Sequence, residues 1–286
     1  MSLSNTAKLK RRPSKPRTSV ARWVLYVVVG LIILYLIFPI LVVIPLSFSS
    51  AHYLTFPPPG FSLQWYHKFF SRSDWRNAAF LSLWIACSVM VLATALGTAA
   101  SLGLVRGRFL GRQSINTFLV SPMVVPSIIV AIGLYFFYAR IGLIGHPIAL
   151  IVAHTALAVP FVVVNVSATL YGFDERLEFA AMNLGANRWQ TFRQVTLPII
   201  RPGVMAGALF AFITSWDELI VAIFVSGTGA VTLPRKMWDS IRFEIDPTIA
   251  AVSTLLIVFT AALFVSAELL RRRSERLRTV IVTEVE

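Results

Sequence analysis

Two adjacent carboxylates, Asp217 and Glu218, interrupt an otherwise apolar run from Pro202 to Phe224. In a membrane-crossing helix an acidic side chain costs roughly 2.5–3.5 kcal/mol at the bilayer centre, so it normally faces a cavity or a partner. Neighbours on a helix point about 100° apart, so the two do not aim at one spot. Asp217 is the first candidate to line a path and Glu218 the second; the other reading is a buried, satisfied polar pair that keeps helices together. Thr214, three residues before Asp217, is spaced to hydrogen-bond it, and Trp216 offers a ring face to a cation. Other chemistry-bearing residues are sparse. His154 and Asn165 fall in one apolar run, where a lone His more often bonds between helices than binds metal. Cys87 is the only cysteine and sits among Ala, Ser and Met, as a packed residue would. No second His or Cys stands at ligand spacing, and G-x-S-x-G, H-E-x-x-H and G-x-x-x-x-G-K-[ST] are all missing from the chain. Neither a hydrolase, a metal site, a cofactor nor a phosphate loop for ATP is implied.

The elements that must position these residues follow from composition. The 286 residues are 57% hydrophobic and 14% charged, too apolar for a soluble domain of this size. About 20 apolar residues span a bilayer core, which predicts six crossings: Trp23–Leu46, Asn77–Val105, Gln113–Ala139, Ile141–Phe173, Pro202–Phe224 and Pro247–Ala267. The fold class is all-α and polytopic. Pro122 and Pro126 are expected to kink the third crossing; Gly97 and Gly103 are expected to allow close helix contact in the second. The transmembrane unit covers 23–270, flanked by tails 1–22 and 271–286. The first crossing is too long for a cleaved signal and reads as an uncleaved anchor.

Lys and Arg set the orientation. The tails and the segments 105–114 and 172–201 carry nineteen of them, the alternate loops seven. The richer side is therefore cytoplasmic, with both termini on that side. This asymmetry accounts for the net charge of +13, and the basic run Lys8–Arg17 reads as a topology signal touching anionic lipid rather than nucleic acid. Two outside loops are long. Loop 47–76 contains three prolines, Pro57 to Pro59, then an aromatic run from Trp65 to Phe70 that suits a short interfacial helix; an aromatic belt and contact with an external partner are both open. Loop 227–246 is long enough to fold back into a pore mouth, where Asp239, Glu244 and Asp246 would add negative field.

The inside segment 172–200 has its own pattern. Leu177, Ala181 and Leu184 share one helical face, Gly185 interrupts, and a second stripe runs Trp189, Phe192, Val195. Asp174 and Glu175 precede the first helix, where its dipole favours them. Pro198 is expected to stop the second. Apolar knobs on a cytoplasmic hairpin need either a protein partner or the bilayer surface.

The residues Ala180, Ala181, Gly185, Val195, Leu197 and Pro198 fall on the pattern E-A-A, three residues, Gly, nine residues, Ile-x-Leu-Pro. The chain thereby resembles, from about Asn77 to Leu270, the permease subunits of binding-protein-dependent ABC importers. The resemblance implies the type I importer permease fold in a bacterial inner membrane, with a cytoplasmic coupling-helix loop between crossings four and five. It makes Ala180, Ala181, Gly185, Ala186, Trp189, Phe192, Leu197 and Pro198 the residues that couple to a separate ATPase subunit. The chain itself would then be no enzyme. Partners implied are ABC ATPase subunits, a second permease subunit in a heterodimer, a solute-binding protein outside, and membrane lipid. Phe179 stands where the motif has Glu, and Glu178 comes one position early, so the salt bridge of that Glu is open here. The region Phe210–Val258, with its acidic pair, Ser226-Gly227, Thr232-Leu233-Pro234 and the run Asp246–Ala251, resembles the polyamine-importing subfamily. Spermidine or putrescine is the solute this implies; opine and aminophosphonate permeases are similar in sequence and remain the alternative. An ATP-independent secondary transporter would ordinarily show two related halves, and a membrane enzyme would need a catalytic constellation.

Overall fold

Long apolar runs without charge become helices because a helix satisfies its own backbone groups where no water is available. The computed structural model describes residues 20–243 and 246–283. Residues 1–19 and 284–286 of the expected tails, and Glu244, lie outside the described residues. The helices are α1 (Val20–Ser47), α2 (Gln64–Ser71), α3 (Ser73–Arg106), α4 (Arg112–Val120), α5 (Ser127–Arg140), α6 (Pro147–Tyr171), α7 (Arg176–Asn183), α8 (Arg188–Thr191), α9 (Leu197–Trp216), α10 (Ile220–Val225), α11 (Leu233–Phe243) and α12 (Thr248–Thr283). No strand occurs among the described residues beyond one isolated bridge, Ser49 with Phe61.

Five spans are long and apolar enough to cross a membrane: α1, α3, α6, the continuous Arg188–Trp216 and α12. A sixth exists if α4 and α5 count together, and these are bent by 99° at their break. The third expected crossing is thus broken rather than kinked. Ser121–Met123 is a 3-10 turn, and Pro122 and Pro126, four apart, each lack a backbone donor just where the helix would need two successive turns. The fifth crossing is also broken. α9 ends at Trp216 and Asp217 takes a non-helical φ of −102° and ψ of 4°. Glu218 Oε1 accepts the Val221 N–H at 2.7 Å and so caps the first turn of α10. Asp217 and Glu218 therefore sit at a break, and the 100° rule for helix neighbours does not govern them.

The centre of the bundle is α3, α6 and α9. Val162 on α6 is fully buried between two glycines. A Cβ on Gly97 would stand 2.6 Å from Val162 Cβ, and one on Gly207 would stand 2.9 Å from Val162 Cα. These contacts let three backbones approach closely. The expectation for Gly103 fails: open space surrounds it. Six residues separate it from Gly97, which is about 240° around a helix, so it cannot share that face. Cys87 is likewise exposed on the outer face of α3, not packed. α1 lies beside α12, and its apolar side chains from Trp23 to Leu41 are largely uncovered by the rest of the described chain.

Candidate functional site

The hairpin from Arg176 to Leu197 is built from short-range signals. α7 ends in a double cap: Gly185 N–H donates to Met182 O at 3.0 Å and Ala186 N–H to Ala181 O at 3.1 Å. This requires a left-handed residue, and Gly185 has φ +93°. α8 opens with a capping box. Asn187 Oδ1 accepts the Gln190 N–H at 2.9 Å, and Gln190 Oε1 accepts the Asn187 N–H at 2.8 Å. The Asn-x-x-Gln spacing makes that feature legible in sequence. Pro198 does not end the helix. Phe192–Thr196 is a π turn in which Leu197 N–H reaches back to Phe192 O, and α9 continues from it. The wider turn displaces the carbonyl that the Pro198 ring would otherwise strike.

The hairpin presents apolar side chains outward. Leu184 is 89% exposed and Trp189 65% exposed; Phe179, Leu177 and Met182 are exposed beside them. The Trp189 ring packs against Phe192 at 5.7 Å. Ala180 and Pro198 are at the surface, while Ala181, Ala186 and Leu197 are half-buried beneath. The residues singled out for coupling therefore lie on one contiguous hairpin, its larger apolar groups turned away from the bundle.

The open question about the displaced glutamate has a structural answer. Glu178 Oε1 accepts the Thr196 hydroxyl at 2.7 Å and lies 3.6 Å from Arg106 Nη2. Arg106 Nη1 also pairs with Glu175. The one-residue shift thus places the carboxylate against its own chain. No sequence signal joins Arg106 to residues some seventy positions away; only the packing of α3 beside the hairpin does.

The break after α9 lies at the far end of that helix from the hairpin. Trp216, Asp217, Met237, Trp238, Leu256 and Thr260 are among the residues lining a cavity of about 330 Å³ roofed by α11. Trp216 is held by Phe212 at 5.8 Å and Phe259 at 5.1 Å. Arg242 lies over the Trp238 ring at 5.2 Å, so that face already accepts a cation. The hydrogen bond expected between Thr214 and Asp217 is not made among the described residues. Asp217 N–H donates to Ile213 O at 3.2 Å, the last helical bond of α9. His154 is the interhelical bonder expected: it is 1% exposed, and Nδ1 is 3.0 Å from Ser215 Oγ. Asn165 instead donates to its own helix, at Phe161 O, 2.8 Å away.

At the same end as the cavity, loop 47–76 folds as expected into a short aromatic helix, α2, but two of its aromatics face inward. Trp65 and Phe69 are buried, and Trp65 Nε1 donates to Ser49 O at 2.7 Å. Neither a pure lipid belt nor a free docking row describes them. Two of the three carboxylates expected to supply negative field, Asp239 and Asp246, are neutralised. Asp239 pairs with Arg235 at 3.0 Å, and Asp246 accepts from Lys68 at 2.8 Å. Asp246 Oδ1 also takes the Thr248 N–H at 3.0 Å and hydroxyl at 2.7 Å, capping α12.

Burial works against ionisation of Asp246, but the Lys68 ammonium and the two Thr248 donors outweigh it and hold the carboxyl below its ordinary range. A folded pKa below the unfolded one gives stability that is present above the unfolded value and lost as pH falls through the folded one. Thermal stability in detergent should therefore be flat near neutrality with respect to this group and decline below about pH 4. Asp246→Ala, which removes cap and pair together, should cost about 1–2 kcal/mol at pH 7 and flatten that acid decline. An unchanged melting curve at both pH values would refute this account.

Residues 93–279 match the family of binding-protein-dependent transport system inner membrane components. The spermidine/putrescine transport system permease protein PotC of Haemophilus influenzae is 33% identical over 241 residues, covering 84% of this chain and 93% of that one. The putrescine transport system permease protein PotI of Escherichia coli is 34% identical over 251 residues, covering 85% and 89%. Among solved structures, a bacterial ABC transporter that imports alginate superposes with a TM-score of 0.72 at 15% identity, covering 90% of this chain and 99% of that one. The methionine transporter MetNI gives 0.56 at 21% identity, covering 69% and 94%. These likenesses establish the all-α permease architecture, with five spans, or six if the bent α4–α5 pair counts as one.

Proposed function

This chain belongs to the binding-protein-dependent transport system inner membrane component family, and on that premise we propose that it is a pore-forming subunit of an ATP-driven importer of polyamines. The relatives PotC and PotI are named for the transport of spermidine and putrescine, and the cavity's chemistry supports the same class. A carboxylate, Asp217, and two tryptophans, Trp216 and Trp238, are among the residues lining one space. Such a set attracts an organic cation by charge and by cation–π contact.

The single observation that carries the coupling half of this reading is the outward apolar row on the hairpin, Leu184 and Trp189 foremost. It is a surface without a cover in this chain, borne on a rigid double-capped turn continuous with α9. An ATPase subunit docked there moves α9 as a lever. By the Lys and Arg asymmetry that end is cytoplasmic. The opposite end, with loops 47–76 and 227–246, receives the loaded binding protein. A second permease subunit completes the pore. ATP binding draws the hairpins together and opens the cavity outward; the solute passes Asp217; hydrolysis resets the pore inward. This chain binds and orients, while the phosphate chemistry belongs to the ATPase.

The test is reconstitution. The tagged chain, solubilised gently from its own membrane, should bring down a nucleotide-binding subunit and a second permease. Vesicles containing that complex should accumulate labelled putrescine only when given ATP and the binding protein. A chain that purifies alone in several detergents, or flux that ignores ATP, would defeat the reading.

A further inference from the structure

We propose that Arg106 is a positioning residue for the hairpin, a clamp that joins α3 to the coupling helix and closes fully on Glu178 when α7 is pressed toward the bundle. The inference rests on the coupling reading above. Arg106 is the last residue of α3, and its side chain is only 19% exposed. Its guanidinium holds three contacts at once: Nη1 on Glu175, Nη2 at 3.6 Å from Glu178, and the plane at 4.9 Å from the Phe173 ring. Glu175 and Glu178 open α7, and Phe173 ends the preceding span. Thr196, which donates to Glu178 at 2.7 Å, is the last residue of the π turn below α9. One cation therefore ties together α3, α7 and the base of α9.

The clamp is half made. Arg106 Nε and Nη2 are buried without a hydrogen-bond acceptor. A buried guanidinium with two idle nitrogens is costly, and its planar fork suits a carboxylate in two-point contact. At 3.6 Å, Glu178 stands within an ångström of hydrogen-bond reach of Nη2. A small movement of α7 toward α3 satisfies both groups, and an ATPase subunit docked on the outward face of the hairpin is the proposed source of that push. The closed clamp then carries the displacement to α3 as well as to α9, so two of the three central helices move as one.

The experiment uses the whole importer in vesicles, with ATP hydrolysis and putrescine uptake measured on the same preparation. Arg106→Ala should leave the ATPase subunit bound and hydrolysing. Uptake per ATP should fall about tenfold, the effect of losing a charge-assisted contact. Arg106→Lys keeps the charge without the fork and should recover part of the ratio. A charge exchange, Arg106→Glu with Glu178→Arg, should recover more than either single change, which a purely structural role does not explain. An unchanged ratio in Arg106→Ala overturns the clamp. Equal loss in the exchange and in Glu178→Arg alone overturns it too. Failure of the coupling reading itself shows differently: the ATPase subunit would not co-purify even with the unaltered chain.

Discussion

Substitution of Trp189 by glutamate is expected to release the ATPase subunit while leaving this chain folded. Trp189 is 65% exposed and rests on Phe192, and Leu184 beside it is 89% exposed. Its replacement removes no contact from the bundle core, so the fold tolerates the change. At a docked interface a buried tryptophan is a frequent anchor, worth 2 kcal/mol or more, which is a loss of about 30-fold in affinity. Glutamate adds the cost of burying an unpaired charge. Co-purification at several protein concentrations reads this directly, and transport should vanish in parallel. Retention of the ATPase subunit with normal uptake would show that the hairpin rests on the bilayer surface instead, the other reading its amphipathic pattern allowed.

The second large effect is expected at Asp217. Asp217→Asn keeps size and hydrogen-bonding capacity but removes the charge from the cavity beneath α11. Putrescine uptake should fall about tenfold or more, the range for losing a charged contact, while assembly and basal ATP hydrolysis stay normal. Glu218→Gln should behave differently. Glu218 caps α10 through the Val221 N–H at 2.7 Å, so its loss should appear mainly as reduced thermal stability. Normal uptake by Asp217→Asn would remove that residue from the path and leave the cavity to Trp216 and Trp238. Loss of assembly by the same variant would make the pair a structural device, the alternative that the sequence also permitted.

Much of this protein was legible in its residues because the membrane imposes a simple rule. Backbone groups must be satisfied within each span, so apolar length alone marks helices. The hairpin was legible for a different reason: Gly185 at a left-handed position and the apolar stripes around it are local features. Prolines were read less well. Pro198 was expected to stop a helix that a π turn carries through, and Pro122 with Pro126 break a span that was expected only to kink. A proline removes a donor wherever it stands, but whether the chain widens, bends or breaks depends on what packs beside it.

The helical class, the uncovered hairpin and the family were all readable along the chain, since each follows from pattern or spacing; the count of spans was not, because the third crossing is bent by 99°. Only the tertiary structure decided which polar residues meet. Arg106 reaches Glu178 across 72 positions, Lys68 reaches Asp246 across 178, and Trp238 joins Trp216 around one cavity. Asp239 and Asp246 are paired and Cys87 is exposed for the same reason. Hydrophobic periodicity says which face of a helix is apolar; it does not say which other helix that face will meet, and charges find partners only after that choice is made.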